Sequence, residues 1–313
     1  MDVATPAQAL WNQRQVLSAN APRLRSLIDA VGRPGDFSPP QWAQVSAFTL
    51  EFAPDLIIEL GRGFGNSTCC FLETARLMQR QPPCQLLSLC LTNHWHAVTL
   101  PKLQALCAPE WFAPGRLIQG DILDYSFAPL LESAERVLVL WDAHGFEIAE
   151  CVLGNLLPLL AGRPHAVIMH DMSDLRFCSP PRDYGDSGLW KGGHGVYEKF
   201  WIGHICSSVG QAISIIDFAT RNSLPLHSAD ESLFAEFAND AGRREELQRL
   251  LGDDLFSLQG HWFWFTLNEA PEPYVFPRFQ SDKGKLPQGE RRGLFTGNNP
   301  LSRLLHAIMP KSL

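Results

Sequence analysis

Residues 55–67 read DLIIELGRGFGNS, an apolar run followed by three glycines at alternate positions. Its apolar half, Leu56–Leu60, predicts a buried strand, and the glycines at positions 61, 63 and 65 predict a tight turn into a helix. Glycines let the backbone turn sharply and approach a ligand closely, and the N-terminus of the following helix offers N–H donors. A nucleotide-like ligand fits this opening. The alternative is that the glycines form only a strand-to-helix turn.

Short apolar runs alternate with amphipathic stretches from residue 53 onward. The runs lack polar alternation, which is typical of parallel strands covered on both faces. Five βα units in this order predict an α/β protein with an open, doubly wound, Rossmann-like sheet. The predicted strands are residues 56–60, 86–90, 116–119, 137–141 and 166–170, and the predicted helices between them are residues 67–80, 96–106, 127–133 and 146–160.

The flanking segments differ in composition from the alternating part. Predicted helices at 7–19, 22–31 and 40–52 make residues 1–52 an N-terminal helical segment, followed by a sheet domain over residues 53–270. Alternation stops after Asp171, and the Gly-, Pro- and aromatic-rich stretch at about 173–203 predicts a lid-like insertion. Residues 212–218 and 261–267 predict two last strands, paired antiparallel, with a helical piece at 231–251 between them. Residues 271–313 predict a C-terminal extension with a short helix at 301–308.

The composition restricts the kind of partner. The 313 residues are 45% hydrophobic and 19% charged, which is typical of a globular protein. A formal net charge of −7 without a Lys/Arg cluster argues against nucleic acid and favours a small molecule. No run of about 18 apolar residues occurs and the first residues lack a signal-peptide pattern, so we expect no membrane association and a cytoplasmic location. The sequence leaves the oligomeric state open, a homo-oligomer included.

Eight cysteines are spread along the chain without a C-x-x-C pair, and several stand in apolar periodic segments. This spacing argues against a zinc site and against a disulfide framework. We therefore expect reduced cysteines that are mostly buried as small apolar side chains.

The glycine turn resembles the first motif of class I S-adenosylmethionine-dependent methyltransferases, which typically reads E/D-x-G-x-G-x-G. The resemblance implies S-adenosylmethionine as the cofactor, with the turn facing its methionine part and Glu59 supporting its amino end directly or through water. Asp121 follows the third predicted strand, where members of this fold often carry an acidic residue near the adenine. The implied cofactor-binding residues are Glu59, Gly61, Gly63, Gly65, Asn66, Ser67 and Asp121.

The second predicted strand departs from that family pattern. Many members place Asp or Glu at its end to hold the ribose hydroxyls, whereas residues 86–92 read LLSLCLT here. Three alternatives follow: Thr92, Asn93 or a backbone group replaces the carboxylate, or cofactor affinity is weakened, or the fold has lost the cofactor.

Polar residues also follow the fourth and fifth predicted strands, as WDAHG at 141–145 and MHD at 169–171. Because neighbouring strand ends meet at one rim of the sheet, we expect Asp142 and Asp171 to lie close together. Two carboxylates with a neighbouring imidazole suit a divalent cation, and hard oxygen ligands favour Mg²⁺ or Mn²⁺ over zinc. Alternatively, the two carboxylates cap the following helices or line a solvated rim.

Residues 139–174 resemble small O-methyltransferase families that carry D-x-H-x-Y/F-E after the fourth strand and H-D after the fifth. They include the group related to cephalosporin-hydroxylase and sugar O-methyltransferase proteins, and the whole resemblance covers about residues 50–175. It implies Asp142 and Asp171 as metal ligands, with His170 as a nearby ligand or proton acceptor. Catechol-type relatives usually carry a carboxylate followed by Asn or Asp at the last site, which the His170-Asp171 pair does not reproduce.

His144 and His170 are the candidate general bases, because an imidazole titrates near neutral pH and can take a hydroxyl proton. Either can instead be a hydrogen-bonded structural histidine. We expect methyl transfer from S-adenosylmethionine to a hydroxyl oxygen of a small molecule, with or without help from a divalent metal. One alternative is a non-catalytic binding protein with the methyltransferase fold, which the missing ribose carboxylate favours. Another is a dinucleotide-dependent oxidoreductase, whose G-x-G-x-x-G pattern is broken at Asn66.

Overall fold

The computed structural model of the chain describes residues 3–170 and 202–279, and for residues 202–209 it describes the backbone alone. Within this part of the chain seven strands form a single sheet. They are β1 (Leu56–Leu60), β2 (Gln85–Cys90), β3 (Gly115–Gln119), β4 (Val137–Trp141), β5 (His165–Met169), β6 (His227–Ser228) and β7 (Phe263–Phe265).

The strand order is β3-β2-β1-β4-β5-β7-β6. β1 pairs in parallel with β2 and β4, and the parallel pairing continues to β3 on one side and β5 on the other. β7 runs antiparallel to both β5 and β6. The predicted open, doubly wound, Rossmann-like α/β sheet is therefore confirmed. Chain order reverses between β1 and β4, which is where such sheets open a crevice at the carboxyl ends of their strands.

Helices precede the sheet and connect its strands. Two of the connections also contain a single π turn, at Trp95–Thr99 and at Val152–Leu156. The helices are α1 (Pro6–Asn12), α2 (Arg14–Val31), α3 (Pro39–Phe52), α4 (Asn66–Met78), α5 (Leu100–Gln104), α6 (Pro109–Phe112), α7 (Ala128–Leu131), α8 (Phe146–Cys151), α9 (Leu157–Leu160), α10 (Ile202–Asn222), α11 (Ala229–Phe237) and α12 (Ala241–Leu255).

The π turns interrupt two helices that the sequence predicts as continuous, at 96–106 and at 146–160. A proline follows each π turn, Pro101 at the start of α5 and Pro158 at the start of α9. Proline has no N–H to give to the carbonyl four residues earlier, so the regular α-helical ladder cannot run through it. The two interruptions are thus a consequence of these prolines, which the prediction of continuous helices did not take into account.

Both faces of the sheet are buried. In β4 all five residues have no exposed surface, and Leu138 and Leu140 belong to the same core cluster as Trp42 of α3 and Trp262 before β7. Successive side chains of a strand point to opposite faces, so Val139 lies in a second, separate layer and is equally buried. A strand covered on both faces reads as an uninterrupted apolar run, as β4 does.

The N-terminal helices take part in this core. Phe48 of α3 contacts the rings of Trp262 and Trp264, with centroid separations of 5.4 and 5.7 Å. The chain divides into one unit that ends at Arg278 and a second from Phe279 to Leu313. The boundaries at 52/53 and 270/271 stay a prediction.

The predicted strand at residues 212–218 is wrong, because these residues lie within α10. The β-branched residues of this short run suggested a strand, but burial follows a helical period, with Gln211, Ile215, Phe218 and Asn222 inside. Ile213 and Ile216 lie on the opposite, exposed side of the helix. The partner of β7 is instead the two-residue strand β6, and the predicted helical piece at 231–251 is divided into α11 and α12.

Six cysteines, at positions 69, 70, 84, 90, 107 and 151, are buried thiols, which confirms the predicted burial for these positions. Burial raises the pKa of Cys70 and of Cys84 to about 12, so both thiols stay protonated and unreactive at neutral pH. Among the described residues, no helix combines the length and the apolar character that crossing a membrane requires. The predicted lid up to residue 201 and the helix at 301–308 lie outside the described residues.

Candidate functional site

The carboxyl ends of four strands line one cleft of about 420 Å³. The glycine turn after β1 forms its floor, and residues 90–92 after β2, 121–122 after β3 and 142–144 after β4 form its sides. Residues 36 and 37, which precede α3, complete the wall. The volume is within the range of small-molecule sites, and the location is the one expected for an open α/β sheet.

The three glycines of the turn have different neighbours. All three have a positive φ, which is +97° at Gly61, +53° at Gly63 and +94° at Gly65. A Cβ at Gly61 would lie 2.5 Å from the carbonyl oxygen of Asp142, and a Cβ at Gly65 would overlap the Trp95 ring. At Gly63 a Cβ would meet nothing within 4 Å. Gly61 and Gly65 therefore serve the packing of the turn, and Gly63 presents open backbone to the cleft.

Glu59 lies beneath the turn and has no exposed surface. Its carboxylate accepts hydrogen bonds from Ser67 Oγ at 2.5 Å, from Thr68 Oγ1 at 2.6 Å and from the Ser88 hydroxyl. Burial raises the pKa of Glu59, and these three hydrogen bonds together with the nearby Arg62 charge act in the opposite direction. The carboxylate is thus occupied by the protein, and it supports the turn from below rather than lining the cleft.

Arg62 continues this buried network. Its guanidinium donates to Ser88 Oγ at 2.9 Å, to the Ser88 carbonyl at 3.1 Å and to the Ile118 carbonyl at 3.2 Å. Burial lowers the pKa of Arg62, and the Glu59 carboxylate opposes that effect. The side chain therefore ties the turn after β1 to both β2 and β3 and balances the buried charge of Glu59.

Asn66 connects the turn to the segment before α3. Its Nδ2 donates to the Arg33 carbonyl at 2.9 Å. The Arg33 guanidinium lies 4.2 Å above the centre of the Phe64 ring, which stacks on His94 at 4.4 Å. Asn66 Oδ1 is buried and has no hydrogen-bond partner within the described residues. A buried acceptor without a partner costs about 1–3 kcal/mol, which a ligand that donates a hydrogen bond would offset.

The sides of the cleft contain two further predicted positions. Asp121 lines the cleft after β3, and its carboxylate accepts from the Leu123 N–H at 3.0 Å, which fixes its orientation. After β2, Cys90, Leu91 and Thr92 line the cleft. Of the two side chains considered as substitutes for the ribose carboxylate, Thr92 is thus a wall residue, whereas Asn93 is exposed and does not line the cleft.

His170 has partners at both ring nitrogens. Its Nδ1 lies 3.1 Å from Asp142 Oδ1, and its Nε2 lies 3.0 Å from Gln41 Nε2. The Gln41 amide is oriented by two backbone groups, because it accepts from the Ser38 N–H and donates to the Gly260 carbonyl, both at 2.7 Å. An amide nitrogen only donates, so His170 Nε2 must accept and the ring proton is on Nδ1. His170 is therefore a neutral, buried ring that orients Asp142.

His144 is held differently. It lines the cleft, and its Nδ1 lies 2.8 Å from Oε1 of Gln211, a buried residue of α10. A carbonyl oxygen only accepts, so the ring proton is on Nδ1 and the lone pair of the neutral ring is on Nε2. This is the tautomer that a proton acceptor requires.

The predicted metal site is only partly within the described residues. Asp142 and His170 are in contact, but Asp171 lies outside the described part of the chain. Within that part, no group of three or more His, Cys, Asp or Glu side chains is arranged to hold a metal ion. With Nδ1 of His170 donating to Asp142 and Nε2 accepting from Gln41, the ring offers no lone pair to a metal. Of the three predicted ligands, the described residues therefore leave only the Asp142 carboxylate, and the metal site stays a prediction.

Sequence reasoning missed several residues that build the site: Asp36, Phe37, Gln41, Arg62, Ser88 and Gln211. Gln41 lies 129 positions from His170, and Gln211 lies 67 positions from His144. Neither glutamine belongs to a local motif that would indicate such a contact. Residues 33–35 read RPG, which is a local signal that the chain turns there, and Asp36 and Phe37 follow directly.

No family model and no curated protein sequence matches the chain. Solved structures do show similarity. The apo form of CmcI is 23% identical over 44% of this chain and 53% of its own, with a TM-score of 0.32. The SAH-bound methyltransferase of Podospora anserina is 15% identical over 59% of this chain and 72% of its own, with a TM-score of 0.41. The O-methyltransferase TomG of Streptomyces achromogenes, solved with SAM, is 16% identical over 68% and 81%, with a TM-score of 0.38. The chain spans 53% to 59% of the first two structures that it matches, both of them CmcI.

We predict that alanine substitutions at the three glycines lower the free energy of unfolding by different amounts. Gly61→Ala and Gly65→Ala should lower the free energy of unfolding by about 2–5 kcal/mol, because a side chain at positive φ is combined with overlap. Gly63→Ala should cost only about 1–2 kcal/mol, since its Cβ meets open space. Urea unfolding followed by circular dichroism measures all three. An equal loss at the three positions would contradict the proposed difference in their roles.

Proposed function

We propose that the chain is an S-adenosylmethionine-dependent methyltransferase that methylates a hydroxyl oxygen of a small molecule. The observation that carries the proposal is the floor of the cleft. There, the open backbone of Gly63, the N-terminus of α4 and the unpartnered acceptor Asn66 Oδ1 lie side by side at the switch point of the sheet.

The groups around this floor fit the parts of the cofactor. The N-terminus of α4 begins at Asn66 behind Gly65, which has no capping side chain, so its N–H groups suit the carboxylate of the methionine part. Asn66 Oδ1 is the acceptor for the ammonium group of that part. On the sides of the cleft, we assign the Thr92 hydroxyl to the ribose and the Asp121 carboxylate to the adenine, because both residues line it.

Bound in the cleft, S-adenosylmethionine supplies a methyl group that its sulfonium already activates. The protein then has to align an acceptor oxygen and remove its proton. His144 lines the cleft with the lone pair of its neutral ring on Nε2, so it is the residue that we assign as general base. His170 orients Asp142 and is assigned no proton transfer.

The acceptor half of the cleft supports a small substrate. It is bounded by Phe37 before α3 and by His144 and Ile148 after β4. These walls combine an apolar surface with one imidazole, which suits a hydroxyl on an apolar or aromatic frame. The total volume of about 420 Å³ favours a small acceptor molecule once the cofactor is bound.

We predict that S-adenosylhomocysteine binds with a dissociation constant on the order of micromolar. Gly63→Val should weaken binding at least about tenfold, because its side chain would occupy the floor, whereas His144→Ala should bind like the unaltered protein. Isothermal titration calorimetry measures both, with NAD as a second ligand. Binding of NAD in place of S-adenosylhomocysteine would favour an oxidoreductase, and binding of neither would favour a non-catalytic protein.

We predict that His144→Gln lowers kcat by about 10²–10⁴-fold without weakening cofactor binding, since it removes the proton acceptor. The matched control is His96→Gln, an exposed histidine outside the cleft, which should retain full activity. The assay follows transfer of a labelled methyl group to a panel of phenols and sugars. Full activity of His144→Gln would refute its assignment as general base.

Metal assistance is the part of the prediction that the described residues support least. Because both nitrogens of His170 already have partners, we expect methyl transfer to persist within about twofold after chelation with EDTA. The same labelled-methyl assay, with and without added Mg²⁺, measures this. Loss of activity that Mg²⁺ restores would instead assign a metal to Asp142 and Asp171.

A further inference from the structure

Helix α10 brings one buried polar side chain to the cleft. Gln211 is 1% exposed, and its Oε1 accepts the Nδ1 proton of His144 at 2.8 Å. The helix backbone is packed tightly here, because a Cβ at Gly210 would lie 3.0 Å from the Phe146 ring of α8. α10 therefore holds Gln211 in a fixed position against the loop after β4.

The amide nitrogen of Gln211, Nε2, destabilises the folded protein. It is buried and has no hydrogen-bond partner within the described residues. A buried N–H donor without a partner costs about 1–3 kcal/mol, and a methionine of similar length would avoid that cost. A role in packing alone therefore does not account for a glutamine at this position.

We infer that Gln211 is a positioning residue that fixes the ring orientation and the tautomer of His144. The inference rests on the proposed function, in which His144 takes the proton of the acceptor hydroxyl. An accepting oxygen at Nδ1 places the ring proton there, so the lone pair is on Nε2. Without that acceptor, the ring proton is no longer held on Nδ1, and the imidazole can carry it on Nε2, where the ring cannot accept another.

An amide serves this purpose without adding charge. A carboxylate at the same place would also accept from Nδ1, but it would be a buried anion and would need the ring as a charged partner. Gln211 orders the ring while leaving it neutral. At His170 a glutamine uses the opposite end of its amide, because Gln41 donates its N–H to Nε2 and so occupies the lone pair of that ring.

The test compares Gln211→Met with Gln211→Glu. Gln211→Met removes both the acceptor and the unpartnered donor, so it should be as stable as the unaltered protein or more stable. It should bind S-adenosylhomocysteine equally well, yet lose about 10- to 100-fold in kcat. Gln211→Glu keeps an acceptor but buries a charge, so it should be less stable and yet retain more kcat than Gln211→Met at about pH 9, where an imidazole is ordinarily neutral.

If Gln211 positions His144, the more stable variant, Gln211→Met, is the less active one. This opposite order distinguishes a positioning role from a packing role. If Gln211 only packed the helix, kcat would follow stability, and Gln211→Met would be the more active variant, which would overturn the inference. Thr220→Ala is the matched control on α10, because its exposed hydroxyl donates only to the Ile216 carbonyl. It should change neither kcat nor cofactor binding.

Nitrogen NMR of ¹⁵N-histidine-labelled protein gives a readout that does not depend on turnover. With His144→Gln used to assign the signal, the cofactor-free protein should show His144 protonated at Nδ1, and Gln211→Met should shift the proton toward Nε2. An unchanged tautomer in Gln211→Met would overturn the inference even if methyl transfer is confirmed. If the shift occurs but no methyl transfer is found, the proposed function fails and the positioning of His144 by Gln211 stands.

Discussion

The buried carboxylate of Glu59 is the constraint on which the site depends. It stands at the carboxyl end of β1 with no exposed surface, and hydroxyls from α4 and β2 satisfy both of its oxygens. A buried carboxylate is tolerated only when it is hydrogen-bonded and its charge is balanced, and Arg62 supplies the balancing charge. Loss of one partner would leave a charge or a donor unpaired. The start of α4, the end of β2 and the glycine turn are therefore fixed relative to one another.

The glycine turn follows from this arrangement. Ser67 and Thr68 can reach Glu59 only if α4 begins directly above the end of β1, which leaves the turn very little length. Three residues with positive φ achieve the reversal, and two of them are also packed against Asp142 and Trp95. Gly63 alone keeps open space beside it. The turn that resembles a cofactor motif in the sequence thus serves mainly the packing of the fold, and only Gly63 among its glycines has open space toward the cleft.

The sequence predicted correctly the features that depend on neighbouring residues, and it missed those that depend on contacts between distant parts of the chain. The bounds of β1 and β4 were predicted correctly, because a strand buried on both faces is an uninterrupted apolar run. The run at 212–218 has the same appearance, yet its residues are buried on one side only, and a short apolar run cannot distinguish a strand from one face of a helix. The glycine turn was recognised for a similar local reason, whereas Arg62 was not, since its partners Ser88 and Ile118 belong to later strands.

The two histidines of the cleft show why a motif does not define a role. His144 and His170 each follow a strand and stand close to an aspartate, Asp142 before His144 and Asp171 after His170, so the sequence offers both as bases. In the fold a glutamine contacts each ring, but opposite ends of the amide are used. Gln41 presents its nitrogen and occupies the lone pair of His170, and Gln211 presents its oxygen and holds the ring proton of His144 on Nδ1. The backbone of Ser38 and Gly260 sets the orientation of the Gln41 amide. The tautomer of His170 is therefore determined by segments that are distant in sequence from the motif that contains His170.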